Sequence, residues 1–500
     1  MKKRRRRIRP SRKKLSSTVL AATASVKLSA RPSKNNFMNI KVIGAAGGQV
    51  TGSAYIVHTK HARILVDCGL FQGSKQSEQL NRPPTRPNAK LDAVLVTHGH
   101  LDHTGRLPML ARLGYSGPVY ATPVTIEMTA LILRDAARIQ QQDNLRENRK
   151  RARQDLAPVT PLYSPEDVET ILSHMRPTPY QEPVSVAPGI RALWAESGHM
   201  LGSASIKLLV EEDGVEKQIV FSGDLGPKSV PILRAYEPFH HADMVFLEST
   251  YGDRDHRPFR ETAQEFIDIV KDAATRGGKI LVPTFAVGRA QLLLALLAWA
   301  FRHQHIKPFP IFLDSPMAIE ATAIYRRHRE LFDDQMLEYI SNKPMADDLT
   351  TVKLTATAEE SRAINEQDGT CLIMAGAGMC NAGRILHHLK NNLWKPETHV
   401  LIVGYQGHGS LGRQLVEGAT TVKIFGEKVA ARAQVHTLSG FSAHAGQTDL
   451  LDWFDAIAPS QPRVILTHGE DAPRSALAEK IKARHGLDAT LPNMGETIEL

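Results

Sequence analysis

His98-Gly99-His100-Leu101-Asp102-His103 is the stretch on which the fold turns. Four side chains of metal-ligand type, three imidazoles and a carboxylate, fall within six residues. Borderline divalent cations such as zinc take imidazole nitrogen and carboxylate oxygen. The five residues before it, Ala93-Val94-Leu95-Val96-Thr97, read as a strand. A loop leaving a strand can aim such side chains at one spot. His98 and His100 fall on one side of the chain, and Asp102 and His103 curl onto the other. That arrangement suits two neighbouring ions. The plain alternative is a polar surface loop with incidental histidines.

Four ligands do not fill two metal sites, and the chain offers more, each just after a strand. Ser197-Gly198-His199 follows 192–196, Ser222-Gly223-Asp224 follows 218–221, and Thr467-His468-Gly469-Glu470 follows 463–466. Strand ends hold side chains rigidly, as a preorganised site requires. Each is weak alone; with the first stretch they make seven candidate ligands in one repeated context. His174, His240 and His387 lack that context and read as structural or surface residues.

Outward from these points, the first part of the chain is strand-dominated, with few helices. Residues 53–59, 63–67, 93–97, 192–196, 205–210, 218–222 and 244–248 read as strands, being rich in Val, Ile and Leu between Gly or polar residues. Residues 125–142 have helical spacing, and the charged stretch 143–160 reads as an exposed helical excursion. After 248 the pattern alternates. Helices are expected at 260–276, 290–303, 317–331 and 382–393, and strands at 279–283, 310–314, 370–375 and 399–405. Such alternation predicts a parallel, doubly wound sheet. At the end, a strand at 463–467 lies between helices at 449–457 and 475–485. A β-rich fold is thus interrupted by an α/β insertion and then completed.

Composition narrows the class. With 500 residues, 42% hydrophobic and 23% charged, the body is an ordinary globular chain, neither disordered nor collagen-like. The longest apolar run, 292–301, is far shorter than the roughly 20 residues of a membrane helix. It reads as a buried helix, and no membrane partner is expected. Cys68, Cys371 and Cys380 are scattered and odd in number, which fits a reducing, cytoplasmic setting. The net charge of +10 is misleading. Residues 1–37 hold thirteen basic side chains and no acidic one; without them 49 basic side chains face 52 acidic ones. That segment reads as a disordered basic arm. A transit peptide, a poor secretory signal or an early start codon are its other readings.

The order His98-x-His100-x-Asp102-His103, His199, Asp224, His468 resembles the metallo-β-lactamase fold, and the insertion is similar to that of the β-CASP nucleases. Further matches are Phe246-Leu247-Glu248-Ser249-Thr250-Tyr251-Gly252, Phe441-Ser442-Ala443-His444 and His468-Gly469-Glu470. Two more are Val282-Pro283-Thr284-Phe285-Ala286-Val287-Gly288-Arg289 and Gly378-Met379-Cys380-Asn381-Ala382-Gly383-Arg384. The resemblance covers about residues 38 to 500. It is nearer to prokaryotic homologues of the mRNA 3′-end cleavage endonuclease subunit than to ribonuclease J. Gly407-His408-Gly409-Ser410 departs from the family's Gly-Glu-Gly-Thr.

The resemblance implies an α/β architecture. A metallo-β-lactamase αββα sandwich (38–250 and 431–500) would be interrupted by a β-CASP domain (251–430). It implies two zinc sites, one of His98, His100, His199 and Asp224, the other of Asp102, His103, His468 and a bridging Asp224. The nucleophile would be a water or hydroxide between the ions. Catalytic roles would fall to Asp102, to His444 as general acid and to Glu248 orienting it. The implied activity is endonucleolytic hydrolysis of single-stranded RNA, with 5′-to-3′ exonuclease action as the alternative. The assembly to test for is a homodimer. From the residues alone, RNA contact rests on Arg289, Arg384 and Arg413, each next to Gly and opening an expected helix, where an anion can sit. Two rivals are a small-ester hydrolase, which would need no inserted domain, and a non-catalytic subunit, which would tolerate broken ligand sets.

Overall fold

The computed structural model describes residues 38–73, 75–85, 90–407 and 409–500. The basic segment 1–37 and His408 lie outside the described residues. Two seven-stranded sheets face one another. The first runs Thr497–Glu499, Asn39–Val42, Tyr55–His58, Arg63–Val66, Ala93–Leu95, Val119–Ala121, Met175–Pro177. The second runs Ala489–Thr490, Arg463–Thr467, Met244–Glu248, Val215–Phe221, Ala204–Glu212, Ile190–Glu196, Val184–Ala187. Alternation along the strands decides the faces. Val42, Val57, Val66 and Leu95 of the first sheet pack against Ile206, Leu208, Ile219 and Phe246 of the second.

The intervening side chains point outward and are covered by helices. Leu65, Val94 and Val119 meet Leu110, Leu133 and Ile171 on one side. Val220, Val245 and Leu466 meet Leu450, Trp453 and Leu477 on the other. The result is an αββα sandwich. Burying a large aliphatic side chain contributes about 1.5–3 kcal/mol, so these three layers carry most of its stability.

The chain leaves the second sheet after Glu248 and re-enters it at Arg463, one strand over. Met244–Glu248 and Arg463–Thr467 pair in parallel, from Met244 opposite Arg463 to Glu248 opposite Thr467. Between them lies a six-stranded sheet in the order Val352–Leu354, Ile311–Leu313, Cys371–Ala375, Lys279–Pro283, His399–Ile402, Gln434–Thr437. All its pairings are parallel. Its four inner strands are buried on both faces and read as near-continuous apolar runs, while the edge strands Val352–Leu354 and Gln434–Thr437 are largely exposed. The expected apolar helix is Arg289–Arg302, with Leu292, Leu293, Leu297 and Phe301 buried.

Three features differ from the sequence reading. The helix expected at 125–142 and the charged excursion after it are one 30-residue helix, Pro123–Ala152. Thr122 caps it by accepting from the Thr125 N–H, and no Gly or Pro interrupts it. Its buried face ends at Ala137, after which pairs such as Arg138–Asp135 and Arg146–Asp143 carry it into solvent. The first part also contains a helix at Pro165–Ser173, started by a Ser164/Asp167 capping box, so it is less strand-dominated than expected. Finally, Gln434–Thr437 pairs with His399–Ile402, so the inserted sheet runs past residue 430.

Candidate metal centre

The loop after Ala93–Leu95 is stapled to its neighbours by main-chain hydrogen bonds. Cys68 N donates to His103 O (2.7 Å), Leu70 N to Leu101 O (2.7 Å) and Ser53 N to Asp102 O (2.8 Å). This close approach needs glycine at 69, where a Cβ would stand 1.5 Å from Asp102 O. Thr97 donates its N–H to Asp67 Oδ1 and its hydroxyl to Asp67 Oδ2, both at 2.8 Å. Asp67 Oδ2 also lies 2.7 Å from His103 Nδ1. That bond fixes the imidazole so that Nε2 faces the centre. Asp67 was not among the residues singled out from sequence; its one signal is an acidic side chain closing the strand Arg63–Val66.

The seven expected side chains converge from both sheets. His98, His100, His199 and Asp224 bring ligand atoms within 4.8 Å of one another, and so do Asp102, His103, Asp224 and His468. Asp224 belongs to both sets. Its Oδ2 is 3.5 Å from His98 Nε2 and 3.6 Å from His199 Nε2, while Oδ1 is 3.2 Å from His103 Nε2 and 3.4 Å from His468 Nε2. His468 Nε2 is 3.6 Å from Asp102 Oδ2. The outer ring nitrogens are held: His199 Nδ1 by Ala443 O (3.0 Å) and His468 Nδ1 by Thr250 Oγ1 (3.2 Å).

The donor set fits divalent metal. His98 Nε2 and Asp224 Oδ1 are buried and carry no hydrogen bond. Most buried polar atoms are paired, so two orphans within one cluster of ligand-type side chains are where a cation would sit. Burial pushes His98 and His199 well below the usual histidine value, leaving neutral imidazoles with a free lone pair. Burial opposes charge on Asp224, yet His103, His468 and His98 hold its carboxyl well below the usual range. His103 is held well above its ordinary value, because Asp224 and Asp67 outweigh burial. The centre is built to receive positive charge.

His444 stands beside the cluster. Its Nδ1 is 3.3 Å from Glu248 Oε1 and its Nε2 is 3.9 Å from Asp224 Oδ2. Glu248, buried at the end of its strand, also accepts from Leu225 N (2.9 Å) and Thr250 N (3.1 Å). Burial opposes charge on the His444 ring, but Glu248 and Asp224 raise it to about 9. The His256 ring, kept neutral by burial, donates from Nε2 to the His444 carbonyl (2.9 Å) and packs on Tyr251. His256 was also missed. Nearby, Glu196 is buried with its carboxylate accepting from Gly198 N (2.9 Å), and burial pushes it up to about 8.

The three arginines fare differently. Arg289 is buried, its Nε has no hydrogen-bond partner, and burial pulls the guanidinium down to about 10. Arg384 is committed elsewhere: it donates to Asp314 Oδ1 (2.7 Å), Thr355 O (2.8 Å) and Ala356 O (2.6 Å). Arg413 is on the surface and pairs with Glu417 four residues on.

Three family descriptions match in succession: Metallo-beta-lactamase superfamily at 47–284, Beta-Casp domain at 290–415, and Zn-dependent metallo-hydrolase RNA specificity domain at 428–492. Over 463 residues the chain is 40% identical to the protein named Ribonuclease TTHA0252 of Thermus thermophilus, covering 92% of this chain and 100% of that one. The chain belongs to the β-CASP metallo-hydrolase ribonuclease family. As a β-CASP ribonuclease it is a metal-dependent hydrolase that acts on RNA. It is also 32% identical to Transcription termination factor FttA of Thermococcus kodakarensis, covering 92% of this β-CASP chain and 71% of the relative. A crystal structure of a protein of unknown function from Enterococcus faecalis shares the fold, with a TM-score of 0.51 at 14% identity. It covers 93% of this chain and 100% of that one.

Proposed function

We propose that this β-CASP ribonuclease cuts single-stranded RNA endonucleolytically, with two zinc ions held by the two ligand sets that share Asp224. The observation that carries this is the pair of orphaned atoms, His98 Nε2 and Asp224 Oδ1, inside two complete four-residue sets. Paired divalent metals acidify a water and stabilise charge in phosphoryl displacement. The rest falls to the chain. Glu248 orients the His444 ring and favours its protonated form, which gives its proton to the departing ribose oxygen. Asp102 and His103 hold one side of the centre, and Asp67 keeps His103 in place. Arg289, buried without a carboxylate partner, takes a backbone phosphate. Arg384 and Arg413 would have to give up their pairs with Asp314 and Glu417 to do the same.

The test is metal analysis of the purified chain together with cleavage of end-labelled RNA. Two zinc per chain and internal fragments from both linear and circular RNA are expected. Release of mononucleotides from the 5′ end alone would replace the endonuclease reading with the exonuclease one. Hydrolysis of small esters without RNA cleavage would overturn both. Light scattering on the same sample tests for a homodimer.

A further inference from the structure

Two exposed aromatic rings follow neighbouring strands of the inserted sheet, and one of them is bonded to the segment that carries His468. Phe285 follows the strand Lys279–Pro283 and is 42% exposed; Tyr405 follows His399–Ile402 and is 44% exposed. Single exposed apolar residues are ordinary. These two share an edge, and that edge is where open α/β sheets bind ligands. Glycines back the Phe285 ring: a Cβ on Gly378 would stand 2.8 Å from its Cδ2, and one on Gly404 3.2 Å from its Cε2. The ring thus rests against main chain that carries no Cβ, while much of it stays in solvent. The Tyr405 hydroxyl donates to Glu470 Oε1 (3.2 Å), two residues beyond His468. That contact places the second ring near the segment that carries His468.

We infer that Phe285 and Tyr405 form a stacking platform for the unpaired bases that flank the phosphate at the metal centre. The inference rests on the ribonuclease reading. Every base has a flat π-face, so a ring pair binds single strands without reading sequence. Bases in a duplex are already stacked and cannot lie on the rings. The platform therefore selects unpaired RNA, a preference that the near-neutral body cannot supply by charge.

The experiment uses the full chain carrying His444→Ala, so that RNA is held and turned over slowly. Fluorescence anisotropy measures binding of a short single-stranded RNA and of the same strand with abasic residues at its centre. Phe285→Leu keeps apolar cover over Gly378 and Gly404 but removes the flat face. It should weaken binding of intact RNA about tenfold and leave abasic RNA unchanged. Tyr405→Leu should do likewise, while Tyr405→Phe, which keeps the ring, should bind as the parent does. Trp394→Leu removes an equally exposed ring after the helix Ile385–Asn392, away from this edge, and should change nothing. Equal loss for intact and abasic RNA would mean a disturbed loop and overturn the platform. Equal binding of both strands by the parent would also sink it, while leaving the ribonuclease reading intact. A parent that binds no RNA would defeat both.

Discussion

The metal cluster lies at strand ends of the two sandwich sheets and the aromatic rim at strand ends of the inserted sheet, and their side chains are held in opposite ways. In the cluster almost every atom that does not face the centre has a partner: Asp67 on His103, Ala443 on His199, Thr250 on His468. Burial and mutual charge leave no freedom there. At the rim, Phe285 and Tyr405 rest on glycine main chain and one hydroxyl bond, with much of each ring in water. Chemistry that depends on geometry sits where the structure is over-determined. Contact that must accept any base sits where it is not.

Four substitutions test that contrast, the largest effect first. Asp102→Ala opens the second ligand set and should abolish cleavage with loss of about one metal per chain. Cleavage at the parental rate would refute the centre. His444→Ala should lower kcat about a hundred- to ten-thousandfold while RNA binding and metal content hold. A fully active variant would remove His444 from proton transfer. Asp67→Asn keeps the shape but not the charge behind His103. It should weaken metal affinity or activity about ten- to a hundredfold, as partners one bond further out do. An unchanged metal titration would show that Thr97 alone suffices.

The smallest effect concerns stability. The Glu196 carboxyl is raised in the folded state to about 8, against an ordinary value near 4.5. The fold therefore favours its protonated form. That contribution is complete below the ordinary value and is lost as pH rises through about 8. Glu196→Gln does not titrate, so its melting temperature should exceed the parent's by a few degrees at pH 9 but not at pH 5. Equal differences at the two pH values would show that Glu196 is not the group responsible.

Much of the centre was legible because its ligands follow strands, and strands of Val, Ile and Leu announce themselves. What stayed hidden depended on distance along the chain. Asp67 lies 36 residues from the histidine it orients, and His256 lies 188 from the carbonyl it holds. Arg384 looked free because its partner Asp314 is 70 residues away. Strand ends were overrun for a related reason. Thr97 and Ser222 look like strand residues, but the strands stop at Leu95 and Phe221. Thr97 turns aside to bond Asp67, and Ser222 Oγ accepts the Glu248 N–H (2.9 Å). The helix Pro165–Ser173 was missed because Ser-Pro-Glu-Asp reads as loop until its capping box is seen.

The return of the chain at Arg463, beside the strand it left at Glu248, also sets a timetable. During synthesis the first five ligands in chain order, and Asp224 after them, leave the ribosome long before His468. The inserted domain must be made before the second ligand set can close, and His444 arrives only shortly ahead of it. A growing chain is thus a nuclease without a finished centre.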